Sequence, residues 1–451
     1  MSHSPHVTTL RVGFAPIART TFDVPLAAEA ARRMRAALED AGFAVAGSET
    51  LITTQADAQA AVSALSGEPL DALLVFHATF VDSTLSAALA GGIDAPLALW
   101  APPEPRTGER LRSNALCGIT LSGHALKRAG RVYEAIYAPP DDPAALDRLA
   151  TLARAGRARR ALRGARIGRI GVHPDGFETC SPHAEALRET FGVRLIQLEL
   201  DALFEQARAA DPAAVDAVAD DLRTRLANLD AVDPVATRST LSAYVALRDL
   251  VAREGFTALA VRCWPHFFTE LGGAACGALA LLADDHIPAS CEADVNGTLT
   301  QLLLQAISGS PAFDTDLVDF DLDDETVVVW HCGKAPLSMA DPAVAPRAAA
   351  HPNRVKPLLM EFPLKPGRVT LARISEATGA FRLVVGAGEM LAAPMSFTGT
   401  SGVLRFDRPA RAVLDTLLGE GLEHHMALAY GDHVDALLAF ARLVDIPVLR
   451  L

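Results

Sequence analysis

Two carboxylates, Glu270 and Asp294, each stand where an apolar run gives way to a helical pattern, and a histidine pair, His424-His425, follows far downstream. Carboxylates and imidazoles are side chains that take and return protons and that hold divalent cations. Thr257–Cys263 (TALAVRC) is dense enough in Ala, Leu and Val for a buried parallel strand, and Trp264-Pro265-His266 closes it. Thr269-Glu270 then opens LGGAACGALALLADD, which reads as a buried helix. His286–Ser290 is a second short strand, and Asp294 sits just ahead of a helix over Val295–Ile307. In open α/β sheets ligands bind beyond the carboxyl ends of the strands, so Glu270 and Asp294 are expected to face one pocket. The residues alone leave structural alternatives open: a helix-dipole partner for Glu270, an N-cap for Asp294 and a structural role for the histidine pair. HExxH, paired CxxC and Walker signatures do not occur in the sequence.

The elements that must position these groups need a chain of some size. At 451 residues, two or three domains are expected. A formal charge of −13 argues against nucleic acid as a partner, since phosphate binding needs a basic face. No apolar run approaches the length of a bilayer span, so no membrane partner is expected. The N-terminus lacks the basic and apolar regions of an export signal, and six scattered cysteines read as reduced thiols; both predict a cytoplasmic location.

Alternating strands and helices over Leu10–Trp100 predict a doubly wound α/β domain, residues 1–160. Arg19 lies in its first strand-to-helix loop and His77 at the end of the Ala72–Phe76 strand. Arg154–Arg163 reads as a solvated helix bridging to the next domain. A second doubly wound domain, 161–336, carries both carboxylates. Within it the acidic tract Asp314–Glu325 reads as an exposed connector, because EF-hand spacing is absent. From 337 to 451 short strands with Gly/Pro punctuation predict a small, mostly antiparallel β domain that brings the histidine pair.

Five segments make the chain recognisable: Arg262–Gly272 (RCWP, three residues, TELG), Cys291–Thr300 (CEADVNGTLT), Trp330–Pro336 (WHCGKAP), Glu423–Gly431 (EHHMALAYG) and Arg110–Gly118 (RLRSNALCG). Together they resemble the L-fucose isomerase/L-arabinose isomerase superfamily of metal-dependent aldose–ketose isomerases over essentially the full chain. The resemblance implies a Mn²⁺ site, or one for another divalent cation such as Co²⁺ or Mg²⁺, made by Glu270, Asp294 and His425, with His424 as the other candidate imidazole. It implies that Glu270 and Asp294 also exchange base and acid roles through a cis-enediol(ate). His331 matches a histidine that lines the sugar pocket or ligates metal. Trp264, Arg262 and Asn296 are further sugar-contact candidates, with Arg19 and His77 serving a neighbouring subunit's site. The implied assembly is a homo-oligomer, a hexamer or trimer-based, with sites near subunit interfaces. The expected substrate is a pentose, a 6-deoxyhexose or a C6-modified hexose such as sulfoquinovose; a lyase or epimerase using the same enediolate and a non-catalytic sugar sensor are the competing readings.

Overall fold

A computed structural model describes residues 9–451. The chain divides into two compact units, one running to Arg160 with Asp435–Asp445 joined to it, the other comprising Ala161–Val434 and Ile446–Leu451. The architecture is α/β, with two parallel sheets and a C-terminal antiparallel barrel.

The first unit holds a five-stranded parallel sheet in the spatial order Ala44–Gly47, Arg11–Ile17, Ala72–His77, Leu97–Ala101, Tyr133–Tyr137. Ala72–His77 and Leu97–Ala101 are buried along their whole length, as strands covered on both faces must be. Buried Asp71 precedes the third strand and accepts hydrogen bonds from Arg11 N–H, Arg157 and Arg160. Part of the basic helix expected to be solvated therefore neutralises a buried carboxylate, which would otherwise be costly to desolvate.

The second unit begins with a four-stranded parallel sheet, ordered Arg194–Leu198, Arg166–Ile170, Ala258–Val261, Ala289–Ser290. Six further strands close on themselves: Thr400–Phe406, Thr326–His331, Phe313–Asp321, His425–Tyr430, Gly367–Ser375 and Arg382–Leu391, which pairs back with Thr400–Phe406. Every pairing in this ring is antiparallel, and closure leaves it no free edge. The acidic tract is thus no connector. Phe313–Asp321 is a barrel strand paired on both sides, with Phe313, Asp314 and Thr315 buried.

Helix Val295–Ser308 joins the two sheets of this unit. It packs against Ala258–Val261 of the parallel sheet and against Gly367–Ser375 and His425–Tyr430 of the barrel. Eleven of its fourteen residues are buried, including Thr298, Thr300 and Gln301. Thr298 and Thr300 turn their hydroxyls back to backbone carbonyls, which satisfies them without water.

Candidate active site

The strand Ala258–Val261 and the helix Val295–Ser308 fix the turn Cys291-Glu292-Ala293-Asp294 from both ends. Ala293 N–H donates to Val261 O, Asp294 N–H to Cys291 O, and the Asp294 carboxylate caps the helix through Gly297 N–H at 2.9 Å. Glu292 and Ala293 both occupy the left-handed region, at φ 59° and 55°. Side-chain-bearing residues avoid that region, at roughly 1–2 kcal/mol each. The turn holds Glu292 against a cavity of about 200 Å³ whose lining also includes Trp264, Asp316, His331, His424 and His425.

Glu292 is tied at both oxygens. Trp264 Nε1–H donates to Oε1 at 3.2 Å and His424 Nε2–H to Oε2 at 2.9 Å. Burial alone would raise the Glu292 pKa, but the His424 hydrogen bond and the nearby His425 hold it below the usual carboxylate value. The same pairing raises His424, against its own burial. His424 is further steadied by Thr179 Oγ1 at 3.0 Å.

Barrel register supplies the opposite wall. Asp316 pairs with His425 on one side and with Trp330 on the other, so three strands contribute one row of side chains. His425 Nδ1–H donates to Asp294 Oδ2 at 2.9 Å, which leaves Nε2 as the free lone pair. That Nε2 lies 3.8 Å from Glu292 Oε2 and 3.8 Å from Asp316 Oδ1. Asp316 Oδ1 is buried without a hydrogen-bond partner, as is His331 Nε2. Because Cys332 N–H donates to His331 Nδ1, that nitrogen acts as the acceptor and the ring offers its Nε2–H as a donor.

Two gaps in this donor set are of the size a divalent cation would span. A gap of 3.8 Å between imidazole nitrogen and carboxylate oxygen is within twice a metal–ligand distance of about 2.0–2.2 Å. Glu292, His424 and His425, with Cys180, bring ligand atoms within 4.8 Å of one another; Asp314, His331 and His425 do likewise.

Of the residues expected from sequence, Trp264, His331 and His425 line this cavity. Asp294 lies behind it: fully buried, it takes hydrogen bonds from Arg373 Nη1 at 2.6 Å and Nη2 at 3.0 Å as well as from His425. Burial would raise the Asp294 pKa, but the Arg373 charge and His425 hold it far below the carboxylate range. Both oxygens are thus committed to neighbours. Glu270 is not brought to the cavity. It sits in a wide single turn, Phe267–Leu271, rather than opening a long helix, with its side chain 44% exposed and 3.9 Å from His266. Gly272 interrupts the chain there at φ 82°, and the buried helix starts only at Ala275. Asn296 is buried and donates to Glu376, and Arg262 packs against Gly171; neither lines the cavity. In the first unit, His77 is wholly buried beside Ser86 and burial pushes its pKa down to about 3, a neutral core imidazole. Arg19 lies over the Phe80 ring, with its backbone N–H on Thr79.

Sequence reasoning missed Glu292, Asp316 and Arg373. Glu292 was hidden by its neighbour two residues on. Asp314 and Asp316 alternate with Thr315 and Leu317, a strand period read instead as a charge run. Arg373 inside the apolar stretch TLARIS signals a buried acidic partner.

A buried acid–imidazole cavity at the junction of a parallel sheet and a barrel is a candidate working site for an enzyme of a small polar substrate. Residues 13–163 match the family model described as fucose/sulfoquinovose isomerase, N-terminal domain, and residues 359–451 match that for the L-fucose isomerase C-terminal domain. A protein of Alkalicoccus urumqiensis named sulfoquinovose isomerase is 31% identical over 443 residues, 98% of this chain and 99% of that one. Its namesakes in Priestia megaterium and a Clostridium species are 30% and 31% identical, over 96% and 82% of this chain and 97% and 84% of theirs. The chain belongs to the fucose/sulfoquinovose isomerase family and is an aldose–ketose isomerase. Among the described residues no helix is long and apolar enough to cross a membrane.

Proposed function

We infer that the chain converts sulfoquinovose, a hexose carrying a C6 sulfonate, to its 2-ketose through a cis-enediol, with a divalent cation held by Glu292, Asp316 and the Nε2 of His425. The observation that carries this reading is the convergence of two carboxylates on one imidazole nitrogen, each 3.8 Å away, with Asp316 Oδ1 otherwise unpartnered. The names of the relatives support the substrate. A cation bound there polarises the sugar oxygens as a Lewis acid.

The chain's own groups do the rest. Isomerisation moves one proton from C2 to C1 and one from O2 to O1. One cavity carboxylate takes the C2 proton and returns it to C1, while the other passes the hydroxyl proton between the oxygens. The hydrogen bond from His424 Nε2–H favours the ionised form of Glu292, and the same pairing raises the His424 pKa. His331 Nε2–H and Trp264 supply a donor and an apolar face to the sugar. Asp294 and Arg373 hold the His425 ring in the tautomer the cation requires.

Proton NMR of sulfoquinovose with the protein in D₂O tests the reading. The expected result is a ketose product and solvent exchange at the C2 position, lost with EDTA and restored by Mn²⁺. A cleavage product, a C2 epimer alone, or undiminished turnover after complete metal removal overturns it.

A further inference from the structure

One guanidinium on the cavity wall lies over two aromatic rings. Arg354 lines the cavity, its guanidinium 5.0 Å from the centre of the Trp264 ring and 5.4 Å from that of Phe268. Among the described residues that guanidinium has no hydrogen-bond or ion-pair partner. Arg373, by contrast, is buried and bound to Asp294 through two nitrogens. Arginine side chains have many conformers, so an unpaired guanidinium fixed over two rings needs a reason.

The loop that carries it is built to hold still. His351 N–H donates to Lys356 O, His351 O accepts from Arg354 N–H and Val355 N–H, and Asn353 N–H reaches His351 Nδ1. Val355 sits at φ 57°, a conformation that β-branched residues seldom adopt. The His351 ring rests edge-on against Phe268 at 5.2 Å, and burial together with the Arg354 charge lowers its pKa, so it stays neutral beside the guanidinium.

Charge is therefore segregated along the cavity. The carboxylates Glu292 and Asp316 lie with His424 and His425, while Arg354 covers the face of Trp264, whose Nε1 edge touches Glu292. A sugar seated with C1 and C2 at the carboxylates extends its far end along the indole toward Arg354.

We propose that Arg354 is the residue that receives the anionic C6 group of the substrate, its guanidinium fork taking two sulfonate oxygens and thereby selecting sulfonated over neutral aldoses. This rests on the substrate reading above. Guanidinium geometry suits a tetrahedral oxyanion, and charge-assisted hydrogen bonds of this kind are the strong ones.

The test compares Arg354→Met, which keeps the stem over the rings, and Arg354→Lys with the wild type, all supplied with Mn²⁺. The measurements are kinetics and calorimetric binding of sulfoquinovose, with circular dichroism and melting to follow folding. In Arg354→Met the KM and Kd for sulfoquinovose are expected to rise about 10–150-fold while kcat holds within about threefold. Arg354→Lys recovers part of the loss, and methanesulfonate competes in the wild type but not in Arg354→Met. Unchanged KM and Kd in a folded Arg354→Met protein overturn the subsite while leaving the substrate reading intact. So does a loss confined to kcat, or one tracking a lowered melting point, because the residue then only supports the fold. A wild type that neither binds nor turns over sulfoquinovose, yet isomerises a neutral aldose, sinks the substrate reading itself.

Discussion

Replacing Asp294 with Asn isolates the network behind the cavity. Asp294 accepts from Arg373 at 2.6 and 3.0 Å, from Gly297 N–H at 2.9 Å and from His425 Nδ1–H at 2.9 Å. Asn keeps the helix cap but removes the charge opposite a fully buried guanidinium, whose next carboxylate, Glu423, is 4.0 Å from Nε. Breaking a buried pair from one side costs about 3–5 kcal/mol, roughly two to nearly four decades in the unfolding constant. The depressed Asp294 pKa sets the pH dependence: its stabilisation is present above the ordinary carboxylate value of 3.8 and is lost as pH falls through the folded value. The urea-unfolding gap between wild type and Asp294→Asn should thus hold between about pH 5 and 8 and close under more acid conditions. The pair Asp294→Leu with Arg373→Met removes both charges and should regain most of the stability. It should stay at least about 10–100-fold down in activity, because His425 has lost the partner that orients its ring. A stability loss under about 1 kcal/mol for Asp294→Asn at neutral pH, or full activity in the double variant, refutes this account of the network.

Glu292→Gln should lower kcat by about 10²–10⁴-fold while Glu270→Gln stays within about threefold, measured by ketose formation; the reverse result would mean that the Phe267–Leu271 turn swings into the cavity during turnover. Gly297→Ala inverts the usual helix preference, since a Cβ there would meet Asp294 Oδ2 at 2.5 Å and Arg373 Nη1 at 2.9 Å. A destabilisation of about 1–3 kcal/mol is expected in urea, against the gain of up to about 1 kcal/mol seen when alanine replaces glycine in an open helix. The Glu292–His424 pair contributes most between pH 4.5 and 6.5, the ordinary values of its two groups. Glu292, depressed, loses its part as pH falls through its folded value; His424, raised, loses its part as pH rises through its own. Melting curves of wild type and Glu292→Gln across that range should differ most inside the window, and a constant difference would remove the ion pair from the explanation.

Strands such as Ala72–His77 and Ala258–Val261 were legible because burial on both faces writes a continuous apolar run, and Val295–Ser308 because a cap precedes a long apolar pattern. Phe313–Asp321 was not, since a barrel strand with carboxylates on its cavity face looks like a charge run until its pairing partners are known. The site divided the same way. His425 and Trp264, expected from motifs, line the cavity, but which carboxylate of the CEAD turn faces inward depends on two left-handed residues, Glu292 and Ala293, that no local propensity announces. The place of Arg354 over Trp264 and Phe268 is tertiary, and the helix expected to open at Glu270 begins only at Ala275.

Closure of the six-stranded barrel ties catalysis to the order of events in folding. Asp316 and His425 become neighbours only when a late strand completes the ring, across more than a hundred residues of intervening chain. Contacts of such long range form slowly. During refolding, secondary structure should therefore return well before turnover does, and a ribosome-bound chain not yet extended past Tyr430 should be inert however well its earlier segments have formed.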